Sequence, residues 1–105
     1  MKNKIIESDE YIIVTIGQAY YNNGFFNIRK RYSELFGSDL SKIKIQLGDN
    51  NTDIIEGYVN RTANSNGTPR IMAGKNYTEW IQNNFNQGDI FKIEMINSHY
   101  IILKK

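Results

Sequence analysis

A chain of 105 residues with a formal net charge of +2 has room for one domain, residues 1–105, and none for a second. It contains no cysteine, which excludes a disulfide framework and a thiolate metal site and favours a reducing, cytoplasmic setting. Its longest apolar stretches, such as residues 11–14 and 100–103, are far shorter than the roughly 18 residues of a membrane helix, so no membrane partner is expected.

The first half of the chain predicts two strands separated by a loop, with a short helix after them. The strands are rich in β-branched and aromatic residues, and the loop is polar and contains the turn signal Asn23-Gly24. In chain order the predicted segments are a loose polar lead-in over residues 1–10, a strand over 11–16, the loop over 18–24, a strand over 25–28, a basic run over 29–31 and a helix over 32–36.

The second half predicts five strands and one longer helix. Residues 42–47 alternate polar and apolar side chains, which is typical of a half-buried strand. The helix has Asn76 and Glu79 in capping-box positions, and its Trp80 and Phe85 are expected to close one end of the fold. In chain order the segments are strands over residues 42–47 and 54–59, a polar loop over 60–69, a strand over 70–72, the helix over 76–85, and strands over 90–95 and 100–103. Seven short strands with two short helices predict a mainly β barrel or sandwich.

The charges are distributed unevenly. Residues 11–33 contain no acid and carry Arg29, Lys30 and Arg31, and residues 57–78 contain no acid and carry Arg61, Arg70 and Lys75. The rest of the chain has 7 basic and 11 acidic residues. Six charges can cluster by chance, but two basic windows on an otherwise acidic protein favour an anionic partner.

Residues suited to catalysis are scarce. The one histidine, His99, is predicted to lie in a hairpin turn, with no serine, cysteine or second histidine at a spacing typical of a triad or a metal site. No glutamate is followed two positions later by lysine, so the Glu-x-Lys part of a nuclease motif is missing. We therefore expect a binding domain with no catalytic residues, no metal and no cofactor.

The two polar loops are instead suited to nucleic-acid recognition. Asn and Gln can form paired hydrogen bonds with adenine and Arg with guanine, Ser and Thr can serve either base, and Lys, Arg and Tyr can hold phosphates. Asn-rich loops also arise from turn chemistry alone, and the tyrosines are as well suited to packing as to DNA contact. Together with the basic windows, however, the loops predict a DNA-binding surface. Its candidate residues are Gln18, Tyr20, Asn22, Asn23, Arg29, Lys30, Arg31, Asn60, Arg61, Thr62, Asn64, Ser65, Asn66, Thr68, Arg70 and Lys75.

The order of these segments resembles the B3-like DNA-binding pseudobarrels, which include plant B3 domains and the effector or target-recognition domains of bacterial restriction endonucleases. The resemblance spans residues 12–103, with Arg29 at a position where the family often has proline. The segments that carry it are TIGQ at residues 15–18, GFFNIRKRYSELF at 24–36, RIMAGKNYTEWI at 70–81 and FNQGDIFKI at 85–93.

The resemblance implies a seven-stranded open pseudobarrel with two short helices that grips the major groove of double-stranded DNA between two loop arms. Residues 18–23 match the first arm and residues 60–70 the second, and these lie in the two basic windows. The Ile, Lys and Asn bias of the chain is typical of an AT-rich bacterial genome, so a restriction-enzyme domain, with a fused or associated nuclease, is the favoured interpretation. On this interpretation Asn64 and one or both of Arg61 and Arg70 contact bases, while Lys30 and Lys75 contact phosphates. The alternative is that Arg61 and Arg70 hold only phosphates and that DNA shape gives any sequence preference.

Two further interpretations belong to other functional classes. A small barrel of this kind could bind RNA or a modified base, with Tyr20, Tyr21 and Phe25 as stacking residues. It could also be a protein-interaction module such as a phage-encoded inhibitor, which would require an exposed apolar or acidic patch.

Overall fold

The computed structural model describes residues 11–105, so the predicted polar lead-in over residues 1–10 lies outside the described part of the chain. The described residues form seven strands, two α-helices and one 3₁₀ helix. In chain order they are β1 (Tyr11–Thr15), α1 (Gln18–Asn22), β2 (Phe25–Asn27), the 3₁₀ helix (Lys30–Leu35), β3 (Lys42–Leu47), β4 (Ile54–Asn60), β5 (Arg70–Met72), α2 (Lys75–Asn84), β6 (Ile90–Asn97) and β7 (Tyr100–Lys104). None of the helices within residues 11–105 is both long and apolar enough to cross a membrane.

The strands form one mixed sheet that curls almost into a barrel. Their order is β1-β6-β7-β3-β4-β5-β2, and every neighbouring pair is antiparallel except β3 with β7. The sheet therefore has two edge strands, β1 and β2, and a cleft of about 210 Å³ between them is lined by residues of both, including Ile12, Val14 and Asn27. This gap confirms the predicted open pseudobarrel.

The core consists of the inward-facing side chains of the strands, along which buried and exposed residues alternate, and of side chains from one helix. Ile43 and Ile45 on β3 are buried while Lys42 and Lys44 are exposed, as their alternation predicts. Helix α2 packs Tyr77 and Ile81 against the barrel, both fully buried. Aromatic contacts join that helix to the sheet: the ring centroids lie 5.5 Å apart for Phe26 and Tyr77, 5.3 Å for Phe26 and Phe91, and 6.4 Å for Phe85 and Phe91.

The predicted loop over residues 18–24 is wrong, because residues 18–22 form helix α1. Side chains of α2 hold α1 in place through two hydrogen bonds. The Tyr77 hydroxyl donates a hydrogen bond to the Tyr20 carbonyl oxygen at 3.2 Å, and Gln82 Nε2 donates to the Tyr21 carbonyl oxygen at 3.0 Å. A five-residue helix is unstable by itself, so its docking on α2 outweighs the local turn preference of the sequence.

The predicted ends of the other two helices also need correction. Helix α2 begins at Lys75 with Gly74 at its N-cap and no side-chain cap, so the Asn76–Glu79 capping box does not form. Gly74 has φ +86°, a left-handed conformation that glycine adopts readily, and this sets where the helix starts. The helix predicted over residues 32–36 is a 3₁₀ helix that includes two residues of the basic run.

Candidate nucleic-acid interface

The two predicted arms lie at opposite ends of the β2–β5 ladder. Phe25 pairs with Met72 and Asn27 with Arg70. The first arm, residues 18–23, therefore precedes the Phe25–Met72 end, and the second arm, residues 60–70, reaches the Asn27–Arg70 end. The strip of outer sheet surface along the β2–β5 ladder lies between them.

We call this strip the floor. Alternate side chains of β2, β4 and β5 point outward here, since Phe26, Val59 and Ile71 between them are buried. The pairing of β4 with β5 places Tyr58 beside Met72 and Asn60 beside Arg70. The floor consists of Phe25, Asn27, Tyr58, Arg70 and Met72.

The first arm presents three exposed amide side chains, those of Gln18, Asn22 and Asn23. Tyr20 faces the protein, with its ring centroid 5.9 Å from that of Phe25 in an edge-to-face contact. Burial raises the pKa of Tyr77 well above its ordinary value, which keeps its hydroxyl protonated as the donor to the arm. The arm is thus a docked helix with an amide-bearing outer surface, and Tyr20 supports it.

The second arm is shaped by its own asparagines. Asn60 Oδ1 accepts hydrogen bonds from the backbone N–H groups of Thr62 and Ala63 at 2.9 and 3.0 Å. Asn66 Oδ1 accepts from the Thr68 backbone N–H at 3.2 Å and from its hydroxyl at 2.8 Å. Both asparagines therefore act as turn-forming residues, as the turn-chemistry alternative predicts.

The predicted contact residues of the second arm differ in exposure. Thr62, Ser65 and Asn66 face solvent, whereas Thr68 is only 7% exposed and its hydroxyl is bonded to Asn66. Thr68 therefore belongs to the interior of the arm, a correction to its prediction as a contact residue.

Arg61 also points into the protein. Its Nε donates to the Gly37 carbonyl oxygen at 2.8 Å, and its Nη2 donates to the carbonyl oxygens of Ser33 and Phe36 at 2.9 and 3.1 Å. Its Nη1 donates to Ser33 Oγ at 2.8 Å and to the Gly67 carbonyl oxygen at 3.2 Å. These five bonds use all five N–H donors of the guanidinium. The prediction that Arg61 contacts a base needs correction, because the structure uses its donors to fasten the second arm to the segment after β2.

Arg70 has the opposite arrangement and lies on the floor. Its guanidinium carbon lies 4.1 Å from the centroid of the Phe25 ring, and its Nε donates to Asn27 Oδ1 at 3.0 Å. Asn64 Nδ2 donates to the same oxygen at 3.1 Å and to the Thr68 carbonyl oxygen at 3.3 Å. Arg70, Asn27 and Asn64 thus form one hydrogen-bonded group that links the floor to the second arm.

The remaining predicted cations flank the floor at both ends. Arg29, Lys30 and Arg31 are exposed and follow β2 at the second-arm end, while Lys75 is exposed at the start of α2, near the first arm. Ion pairs within residues 11–105 involve only Lys42 with Glu56 and Lys104 with Asp49 and Glu94. The cations of the two basic windows therefore have no carboxylate partner in the described part of the chain.

Within residues 11–105 there is no cluster of three or more His, Asp or Glu side chains that could hold a metal ion. His99 is exposed, and its Nδ1 lies 3.4 Å from the Lys42 carbonyl oxygen.

Four floor residues were not among the predicted DNA-contact residues: Phe25, Asn27, Tyr58 and Met72; of these, Phe25 was named only as a stacking residue for RNA or a modified base. The period-two pattern of their strands predicts that they face outward, but no local signal places three strands and two arms around one strip. Only the register of β2, β4 and β5 brings them together.

No family model and no curated protein matches the chain. Its structure is similar to the N-terminal domain of Helicobacter pylori LlaJI.R1, with a TM-score of 0.65 and 13% sequence identity. The match covers 88% of this chain and 76% of the other. The chain therefore shares its seven-stranded, nearly closed barrel fold with that domain.

Proposed function

We propose that this chain is a sequence-specific double-stranded DNA-binding domain that serves as the target-recognition domain of a bacterial restriction endonuclease. The observation that carries the proposal is the position of the window cations. Arg29, Lys30, Arg31 and Lys75 are exposed at the two ends of the floor, and none has a carboxylate partner within residues 11–105. Such cations favour an extended polyanion that lies across the floor.

The spacing of the arms suits a DNA groove. Gly24, directly after the first arm, and Ile28, which bonds to Pro69 of the second, are four residues apart along an extended strand. At about 3.4 Å per residue this is roughly 14 Å. The major groove of B-DNA is about 12 Å wide, and its base edges carry the donor and acceptor pattern that distinguishes all four base pairs.

The exposed chemistry of the arms is also suited to that groove. Gln18, Asn22 and Asn23 of the first arm can form paired hydrogen bonds with adenine, and Thr62 and Ser65 of the second can bond to several bases. Arg29, Lys30, Arg31 and Lys75 are placed to contact phosphates on either side. The arms would supply base contacts and the flanking cations would orient the barrel on the backbone.

The structural neighbour supports the restriction-enzyme context, because the name LlaJI.R1 has the form given to restriction endonucleases. We assign cleavage to a separate nuclease domain, fused or associated, since the described residues of this chain hold no group of carboxylates suited to metal-dependent hydrolysis.

A second candidate function is the binding of a single modified or extruded base. A cavity of about 670 Å³ lies between the first arm and the floor, with Asn23, Leu40, Tyr58 and Met72 among its lining residues. The pocket combines apolar side chains, an aromatic ring and an amide with the Lys42–Glu56 ion pair at its margin, and such a mixed lining is suited to one base. It is open to solvent on one side and lies where duplex DNA would pass, so it is compatible with the main proposal.

The test is a titration of the chain with duplex DNA, single-stranded DNA and RNA of one sequence at two salt concentrations. We expect preferential duplex binding, with a log–log salt slope of about −4 to −5 if about four to six phosphates are neutralised. Duplexes carrying one modified or unpaired base test the second candidate in the same assay. Absence of duplex binding at low salt, or duplex binding that does not change with salt, contradicts the proposal.

A further inference from the structure

Arg70 is held in one geometry before any ligand arrives. Its guanidinium carbon lies over the Phe25 ring, 4.1 Å from the ring centroid, and Asn27 Oδ1 accepts its Nε–H at 3.0 Å. A cation over an aromatic ring is attracted by the ring's negative face. The side chain therefore loses less conformational entropy on binding than a free arginine would.

The residues that hold Arg70 are themselves fixed. Asn27 Oδ1 also accepts a hydrogen bond from Asn64 Nδ2, which is bonded to the Thr68 carbonyl oxygen of the second arm. On the other side, Phe25 contacts Tyr20 of the first arm edge to face. Arg70 therefore contacts one residue linked to each arm: Phe25, which packs against Tyr20, and Asn27, which bonds to Asn64.

The terminal nitrogens of Arg70 differ from those of Arg61 in their hydrogen bonding. Arg61 donates all its N–H groups to protein acceptors, whereas within residues 11–105 the one hydrogen bond recorded for the Arg70 guanidinium is that of Nε. Arg70 is half-buried and takes part in none of the ion pairs of the described chain. Its Nη1 and Nη2 edge is the end of a guanidinium fork, which matches two acceptors side by side.

We infer that Arg70 recognises guanine in the major groove, with Nη1 and Nη2 donating to O6 and N7. This inference rests on the proposed DNA-binding function and adds one base and one residue to it. A phosphate also offers paired acceptors, but Arg70 is half-buried on the floor, at the second-arm end of the ladder, and the exposed cations Arg29, Lys30 and Lys75 lie outside the floor. In the proposed complex those exposed cations take the phosphates, and the floor faces base edges, where guanine presents two acceptors side by side.

The experiment first selects the preferred duplex from a randomised library with the unmodified chain. Each guanine of that duplex is then replaced singly by 7-deazaguanine, which lacks the N7 acceptor, or by hypoxanthine, which keeps O6 and N7 and lacks only the minor-groove amino group. We expect one guanine at which 7-deazaguanine weakens binding about tenfold or more and hypoxanthine has little effect.

The same duplexes are titrated with Arg70→Lys and with the matched control Arg31→Lys. Arg31 also lies over an aromatic ring, with its guanidinium carbon 5.0 Å from the Tyr32 centroid, but it is exposed outside the floor. Arg70→Lys keeps the charge and loses the fork, so it should lose the preference at that guanine and become insensitive to 7-deazaguanine there. Arg31→Lys keeps the charge at a proposed phosphate contact, so any change in affinity should be the same for every duplex, and the guanine preference and the response to 7-deazaguanine should remain.

The outcomes separate this inference from the proposed function. If the unmodified chain binds no duplex, both are wrong. If it binds duplex, but no guanine responds to 7-deazaguanine or Arg70→Lys keeps the same preference and response, DNA binding stands and the role of Arg70 is wrong. The base-analogue measurements need no variant, so a folding defect in Arg70→Lys does not prevent the test.

Discussion

The backbone of Gly24 lies directly against that of Gly74. The Gly24 carbonyl oxygen accepts hydrogen bonds from the N–H groups of Ala73 and Gly74 at 2.8 and 2.9 Å. A Cβ atom on Gly24 would lie 3.0 Å from the Gly74 carbonyl oxygen, and Gly24 has φ +75°. This contact joins the residue after the first arm to the turn that starts α2, and so it sets the position of the arm relative to the floor.

Gly24→Ala should therefore destabilise the protein by about 1–3 kcal/mol, since it adds a close contact with backbone to the cost of a left-handed alanine. Gly67→Ala is the matched control. Gly67 has φ +78° but nothing within 4 Å of its Cβ position, so it should lose only about 1 kcal/mol. Urea unfolding measures the free energy of unfolding of both variants. Equal losses in the two variants would show that the Gly24–Gly74 contact does not contribute to stability.

Arg61→Ala should destabilise the protein by about 2–4 kcal/mol, because it leaves four backbone carbonyl groups without their charged donor. Arg29→Ala, at an exposed site in a basic window, should change the free energy of unfolding by less than about 0.5 kcal/mol. Chemical unfolding measures both.

The same pair of variants tests the assignment of Arg61 as a residue that positions the second arm. Arg61→Ala should lower the affinity for all duplexes, because the second arm becomes disordered. This loss of affinity should be smaller in conditions that stabilise the fold. A normally stable Arg61→Ala protein with an altered base preference would show instead that Arg61 contacts DNA.

Lys75→Ala should weaken binding to every duplex by a similar factor and make the log–log salt slope shallower by about one, as expected for a lost phosphate contact. Lys105→Ala removes an exposed cation outside the basic windows and should leave the slope unchanged. Equilibrium titrations over a range of salt concentrations compare the two. A Lys75→Ala variant that changes the preferred sequence would indicate a base contact.

The purified chain should not nick plasmid DNA with or without magnesium. Its described residues hold no cluster of acidic or histidine ligands, and the sequence has no Glu-x-Lys pair. Agarose gel analysis of supercoiled plasmid measures nicking. Nicking by the pure protein that is lost on substitution of a single carboxylate would contradict the assignment of cleavage to a separate domain.

The sequence by itself was sufficient to place most strands. The alternation of residues 42–47 predicts β3 with the bounds that the structure has, and residues 70–72 are β5 as predicted. A strand with one buried face must alternate, so its pattern is local information. The two acid-free windows are also properties of composition and can be read directly from the sequence, whereas the role of residues 18–23 and 60–70 as DNA-binding arms stays a prediction.

Only the tertiary structure decided the conformation of the first arm and the assignment of the two arginines of the second. Helix α1 depends on hydrogen bonds to α2, which lies more than fifty residues further along the chain. Arg61 and Arg70 are the same residue type in one basic window, yet one is bonded to carbonyl groups after β2 and the other is stacked on Phe25. Their roles differ because the acceptors and the ring are supplied by distant segments, and a linear sequence does not state which segments meet.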